Sequence, residues 1–168
     1  MAIIEIPQVT YSNVPAAAFP GMLADSGPWD IESALAEVPL DAGLGVMVGA
    51  TTGPTPTVKL PSASGDLAKF KGIACYEAAR MPTGNANRFK VSDPISCVTQ
   101  GRVWVQVDAT AGGDMVDEGP VYWVFTGANA GKFRGDAGSG PSAVLVPNAK
   151  CKIGGSAGSV AMIKINLP

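Results

Sequence analysis

From Arg102 to Asp108 the chain alternates: Val103, Val105 and Val107 fall on one side, Arg102, Trp104, Gln106 and Asp108 on the other. This two-residue period predicts a strand with one face in a core and the other turned out, whereas a helix would scatter both sets. The run Gly119-Pro-Val-Tyr-Trp-Val-Phe125 has no polar face and predicts a strand covered on both sides, by a second sheet or by another chain. Residues 109–118 between them read as a hairpin turn, with Gly112 and Gly113 able to take positive φ. Residues 159–167 alternate again, Val160, Met162, Lys164 and Asn166 against Ala161, Ile163, Ile165 and Leu167. Residues 44–48 and 56–60 read as a hairpin across a Thr-Gly-Pro turn cluster, and 72–77, 143–146 and 150–153 as further short strands. Many short strands between Gly and Pro turns predict an all-β chain, a single-domain β-sandwich or barrel, with a jelly-roll-like arrangement included.

Two stretches depart from this pattern. Residues 1–29 are apolar without a period, carrying Ile3, Ile4, Tyr11, Phe19 and Trp29 among four prolines that exclude a long helix. We divide the chain into an extended N-terminal arm, 1–29, and a β-sandwich or barrel domain, 30–168. The arm either lies on a neighbouring subunit or folds back as a ragged first strand on its own core. Residues 31–38 have helix propensity, but eight residues make a marginal helix, and a strand edge or one helical turn is expected. Residues 62–70 read as loop, and 78–91, with Pro82, Gly84 and two asparagines, as a long exposed loop.

Composition narrows the classes of function. Hydrophobic residues make up 46% and charged ones 15%, which fits a globular core and a surface greasier than a monomer favours. A formal charge of −2, with cations scattered singly, gives no field for phosphates, so nucleic acid is not an expected partner. No run approaches the ~18 apolar residues of a membrane span, and residues 1–5 lack the basic and apolar regions of a signal peptide, so cytoplasmic synthesis is expected. Cys75, Cys97 and Cys151 are odd in number and form no C-x-x-C pair; they read as small core hydrophobes.

Candidate chemistry is sparse. The chain has no histidine, which removes the commonest neutral-pH base and metal ligand. Asp108, Asp114, Asp117 and Glu118 could be imagined as a calcium loop or a carboxylate pair, but the EF-hand spacing is absent and a solvated hairpin turn explains them without a ligand. Gly135-Asp-Ala-Gly-Ser-Gly140 lacks the Gly-Lys-Ser/Thr ending of a phosphate loop, and Pro141 follows it instead of a helix. No catalytic residue, metal or cofactor is expected. Trp104 shares a face with Arg102, a pairing that protein interfaces favour, while Trp123 reads as core.

The order of several motifs adds a family resemblance. The run from Gly101 to Phe125, with Gly113-Asp114 in its turn and Gly119-Pro120-Val121-Tyr122 opening the next strand, resembles the capsid cement (head decoration) proteins of tailed bacteriophages. Phe19-Pro-Gly-Met-Leu-Ala-Asp-Ser-Gly-Pro28, Ile31-Glu-Ser33, Leu44-Gly-Val-Met-Val-Gly49 and Gly72-Ile-Ala74 are similar to that family's upstream signatures. The resemblance implies a structural protein on the outer surface of a virion capsid. Its implied partners are the major capsid protein and further copies of itself, as dimer or trimer. The expected interface residues are Ile3, Ile4, Tyr11, Phe19 and Trp29 of the arm, Arg102 with Trp104, and Arg80 and Arg88 of the long loop. A carbohydrate- or receptor-binding β-domain of a phage tail or fibre, using exposed aromatics, is the alternative.

Overall fold

The computed structural model describes residues 18–24, 27–50, 53–76, 88–140 and 142–167. Its central element is β7 (Pro94–Gln106), a strand of 13 residues that takes partners along its whole length. The half before Gly101 closes a barrel of five strands: β1 (Asp30–Ala36) pairs antiparallel with β7, β5 (Phe70–Ala74) lies on its other side, and β3 (Gly45–Val48) and β4 (Thr57–Lys59) lead back to β1. The half from Gln100 onward pairs antiparallel with β12 (Val160–Asn166), which pairs with β11 (Ala149–Ile153). Strands β8 (Tyr122–Val124), β9 (Phe133–Arg134) and β10 (Ala143–Leu145) form a separate small sheet, and β2 (Leu40–Asp41) pairs with β6 (Arg88–Phe89).

A barrel this narrow has room only for small inward side chains. Ala34, Ala36, Val46, Val58, Ala74, Ile95 and Cys97 meet these limits, with Leu40 and Phe89 of the β2–β6 pair packed on them. A second core gathers Val98, Val103, Val105, Trp123, Phe133, Ile163 and Ile165. Val98 and Val103 lie five apart, an odd spacing that a regular strand would split between faces. They share a core because a bulge intervenes: the β1 register shifts between Asp30 and Ile31, and Gly101 sits at φ +130°. A Cβ at Gly101 would also come within 2.5 Å of Trp29 Cδ1, so the Trp29 ring rests on bare backbone.

The alternations read from the sequence hold from Arg102 to Val107 and in β12, where Val103, Val105, Val107, Ala161, Ile163 and Ile165 are buried, but the first ends at Asp108, which was expected on the outer side and is buried against Arg134. Val121, Trp123, Val124 and Phe125 are buried too, as a run without a polar face requires. The 44–48/56–60 hairpin exists as β3–β4, and residues 31–38 supply β1. Other expectations change, among them the exposed loop over residues 78–91, whose Arg88–Phe89 is a strand with Phe89 buried against Leu40. The strands at either end of residues 109–118 are not hairpin partners, because β7 is already occupied on both edges and β8 pairs with β9 and β10. Residues expected as loop contain a 3₁₀ turn, Ser64–Lys69, begun by Asp66 accepting from the Ser62 and Ala63 amides at 2.7 and 2.9 Å.

Trp123 ties the two halves together. It is fully buried, meets Phe70 edge-on at 4.7 Å between ring centroids, and donates from Nε1 to the Gly45 carbonyl at 3.3 Å. Trp123→Ala should cost about 3–5 kcal/mol in urea-unfolding free energy, as a cavity left in the larger core. Glu37, just past β1, accepts the Thr57 hydroxyl at 2.5 Å and the Ala50 amide, fastening the two ends of the β3–β4 connection. The Thr57 hydrogen bond, aided by the Ala50 amide and the charge of Lys59, holds its carboxyl below the usual range against the opposing effect of desolvation. A lowered folded-state value means stability that is complete above the ordinary carboxylate range and lost as pH falls through the lowered value. Unfolding titrations between about pH 6 and pH 3 should therefore show a smaller loss of stability for Glu37→Gln than for the parent protein.

Candidate functional site

The side chains that β7 turns away from the second core fall into rows with those of its neighbours. Residues 20–24 run along β7 on the edge opposite β12: the Gly21 amide donates to the Trp104 carbonyl at 2.6 Å, the Trp104 amide to Met22 at 2.9 Å, and the Ala24 amide to Arg102 at 2.9 Å. Leu23 bridges Val103 from the same segment. Trp104 thus has Met22 on one side and Met162 on the other, and Ile153 of β11 pairs with Met162. Met22–Trp104–Met162–Ile153 is an apolar row crossing four adjacent chain segments. Its two ends are the more open, Met22 at 36% and Ile153 at 44% exposure.

The next row is cationic. Arg102 pairs with Lys164 and Lys164 with Lys150, and all three side chains are exposed. Beyond it Gln100 pairs with Asn166. A concavity of about 340 Å³ opens beside these rows, lined by Pro28, Gly101, Arg102, Lys164 and Asn166 among others. Trp29, 39% exposed and seated on Gly101, and Ile31, 40% exposed and opposite Val98, extend the apolar surface around the bulge.

Of the residues singled out in the sequence, Arg102 and Trp104 are therefore brought to one side of β7, and Trp29 rests on Gly101 at the bulge. Phe19 is 52% exposed and stacks on Tyr76, with centroids 6.0 Å apart and planes at 14°. Arg88 opens β6, paired opposite Asp41 through the backbone. Ile3, Ile4, Tyr11 and Arg80 lie outside the described residues. Met22, Met162, Ile153, Lys150 and Lys164 were not singled out. The outward set of β12 was legible, but its alignment with Trp104 and Arg102 depends on strand register.

The acidic residues do not converge. Asp108 is buried, takes Arg134 Nη1 at 3.0 Å and accepts from the Thr110 amide and hydroxyl; Arg134 Nε reaches Asp136 at 2.6 Å. Asp114 accepts the Ala157 amide at 2.7 Å, Asp117 the Gly154 amide at 2.6 Å, and Glu118 pairs with Lys152 at 2.5 Å. Each carboxylate fastens a turn. Among the described residues there is no group of three or more Cys, Asp or Glu placed to hold a metal ion. The cysteines are buried and unbridged, and burial pushes the Cys97 thiol up to about 12, a core group without reactive thiolate at neutral pH. Trp123 is wholly internal, which leaves it no part in an aromatic carbohydrate site.

Comparison with known proteins agrees with a surface built for contact. A search among curated proteins gives no match. The solved structure "The capsid of Myoviridae Phage XM1" contains a chain similar in fold, with a TM-score of 0.67 and 18% identity over 93% of this chain and 94% of that one. The sequence model of the structural cement protein family (E217 gp24/Pam3 gp6) matches residues 7–166. This match spans nearly the whole chain, barrel and outer rows together, and the chain belongs to the structural cement protein family of phage capsids.

Proposed function

We propose that the protein binds the outer surface of an assembled phage capsid through the exposed face of residues 20–24, β7, β12 and β11, and there braces neighbouring major capsid proteins. The observation that carries this reading is the Met22–Trp104–Met162–Ile153 row beside Arg102. Trp, Met and Arg are the residues that interface centres concentrate, and here they lie in register across a rigid sheet. A stable protein contact buries about 1,600 Å² in total, so a second attachment is needed beyond one sheet face. The 1–17 segment with Ile3, Ile4 and Tyr11, and the loop from Arg80 to Arg88, supply it by reaching a neighbouring shell subunit or another copy. Assembly of copies into a dimer or trimer would let several modest contacts act together as avidity. The role is mechanical, and no step of it uses a catalytic group.

Bare heads mixed with the purified protein and sedimented should carry it down in saturable amounts. Trp104→Ala should weaken that binding about tenfold or more, as loss of a central aromatic contact does, while changing unfolding stability far less than Trp123→Ala. Wild-type protein that stays in the supernatant with bare heads would overturn the reading. Deleting residues 1–15 should also lower retention on heads while the circular dichroism spectrum and unfolding transition persist; collapse of the fold would instead assign that segment to the protein's own core.

A further inference from the structure

A polar cleft of about 300 Å³ opens beyond the ends of β7 and β8, lined by Asp108, Thr110, Thr126, Arg134, Ser139 and Ser142 among others. It shares no residue with the outward rows. A run of side-chain hydrogen bonds frames it: Lys132 Nζ donates to Asn129 Oδ1 at 2.9 Å, Asn129 Nδ2 to Thr110 Oγ1 at 3.2 Å, and the Thr110 hydroxyl to Asp108 Oδ1 at 3.0 Å. Arg134 then donates from Nη1 to Asp108 at 3.0 Å and from Nε to Asp136 at 2.6 Å. The Asp108 and Arg134 side chains are 2% and 5% exposed, so this part of the wall is rigid and poorly hydrated. The hydroxyls of Thr126, Ser139 and Ser142 are different. Each can donate and accept, and none forms a hydrogen bond among the described residues.

Charge and hydrogen-bonding capacity select the ligand. Arg134 is already matched by two carboxylates, so an anion gains no net attraction, and a cation meets the guanidinium between them. A neutral molecule with several hydroxyls pays neither penalty, and its groups pair with the protein's hydroxyls in both directions. We propose that the cleft is a binding site for an uncharged polyhydroxyl ligand, a terminal sugar unit, held by Thr126, Ser139 and Ser142 against the Asp108–Arg134 wall. Its lining contains no aromatic ring, so the sugar is held by hydrogen bonds without stacking and the dissociation constant is on the order of 1 mM. The site stands independently of the capsid-binding reading. Many copies on one shell, which that reading supplies, turn weak single sites into avidity.

The test is saturation-transfer NMR on the full-length protein. The probes are methyl glucoside, methyl galactoside and N-acetylglucosamine, with glucosamine as the cationic and glucuronate as the anionic comparison. At least one uncharged sugar should give a saturable signal, and the two charged sugars a weaker one. Ser139 is exposed and unpaired, so Ser139→Trp should close the mouth and abolish the signal while the unfolding midpoint stays at the parent's value. Thr126→Val and Ser139→Ala should each weaken binding about threefold, as loss of one hydrogen bond does. No saturable signal from any uncharged sugar would overturn the site, as would tighter binding of glucosamine or glucuronate. Binding that Ser139→Trp and Ser139→Ala both leave unchanged would place the sugar elsewhere and overturn it too.

Discussion

Everything in this molecule depends on one strand serving two cores. β7 sends Ile95 and Cys97 into the barrel, then crosses the bulge at Thr99–Gly101 and sends Val103 and Val105 into the larger core. The change of parity is what a regular strand cannot supply, and glycine at φ +130° is what the backbone there requires. Because the strand continues unbroken, the barrel and the outer sheet cannot move independently without rupturing the same ladder of hydrogen bonds. The outer face is thereby mounted on a rigid support, which suits a protein whose work is to resist displacement.

The same parity change decides what faces outward. Beyond Gly101 the even-numbered positions leave the core, and Arg102 and Trp104 come to the surface beside Lys164 and Met162 of β12. Apolar and cationic side chains therefore sort into separate parallel rows, each one strand spacing per residue. Buried carboxylates, by comparison, are used for internal fastening: Asp108 holds Arg134 under the small sheet, with both side chains almost fully covered. Breaking such a pair from one side leaves an uncompensated charge in a poorly hydrated place, so its role is to fix the turn geometry around β9. The charges on the outer row are of a different kind, for Arg102, Lys164 and Lys150 all face solvent.

Much of this was legible in the chain. Period-two alternation located β7 and β12, the apolar run located β8, and the Thr-Gly-Pro cluster located the β3–β4 turn, because in each the local pattern and the burial agree. The family signatures lay in glycines and apolar positions whose order survives in the match over residues 7–166. What could not be read is non-local. The β7–β8 connection looked like a hairpin because both flanks are strands and the intervening residues favour turns; the claims of β12 and of residues 20–24 on the two edges of that half of β7 exclude it. Likewise Met22, Met162, Ile153, Lys150 and Lys164 acquire meaning through register alone, since no sequence separation announces that Lys150, Lys164 and Arg102 stand side by side.

The central claim is that the outward side of β7, β12 and β11 is the surface that meets the shell. A density map of heads carrying the protein, at a resolution that shows side chains, tests it most directly. The account predicts Trp104 and Met162 enclosed against major capsid protein. A map in which that face looks into open solvent, while the barrel end or the small β8–β9–β10 sheet touches the shell, would contradict it.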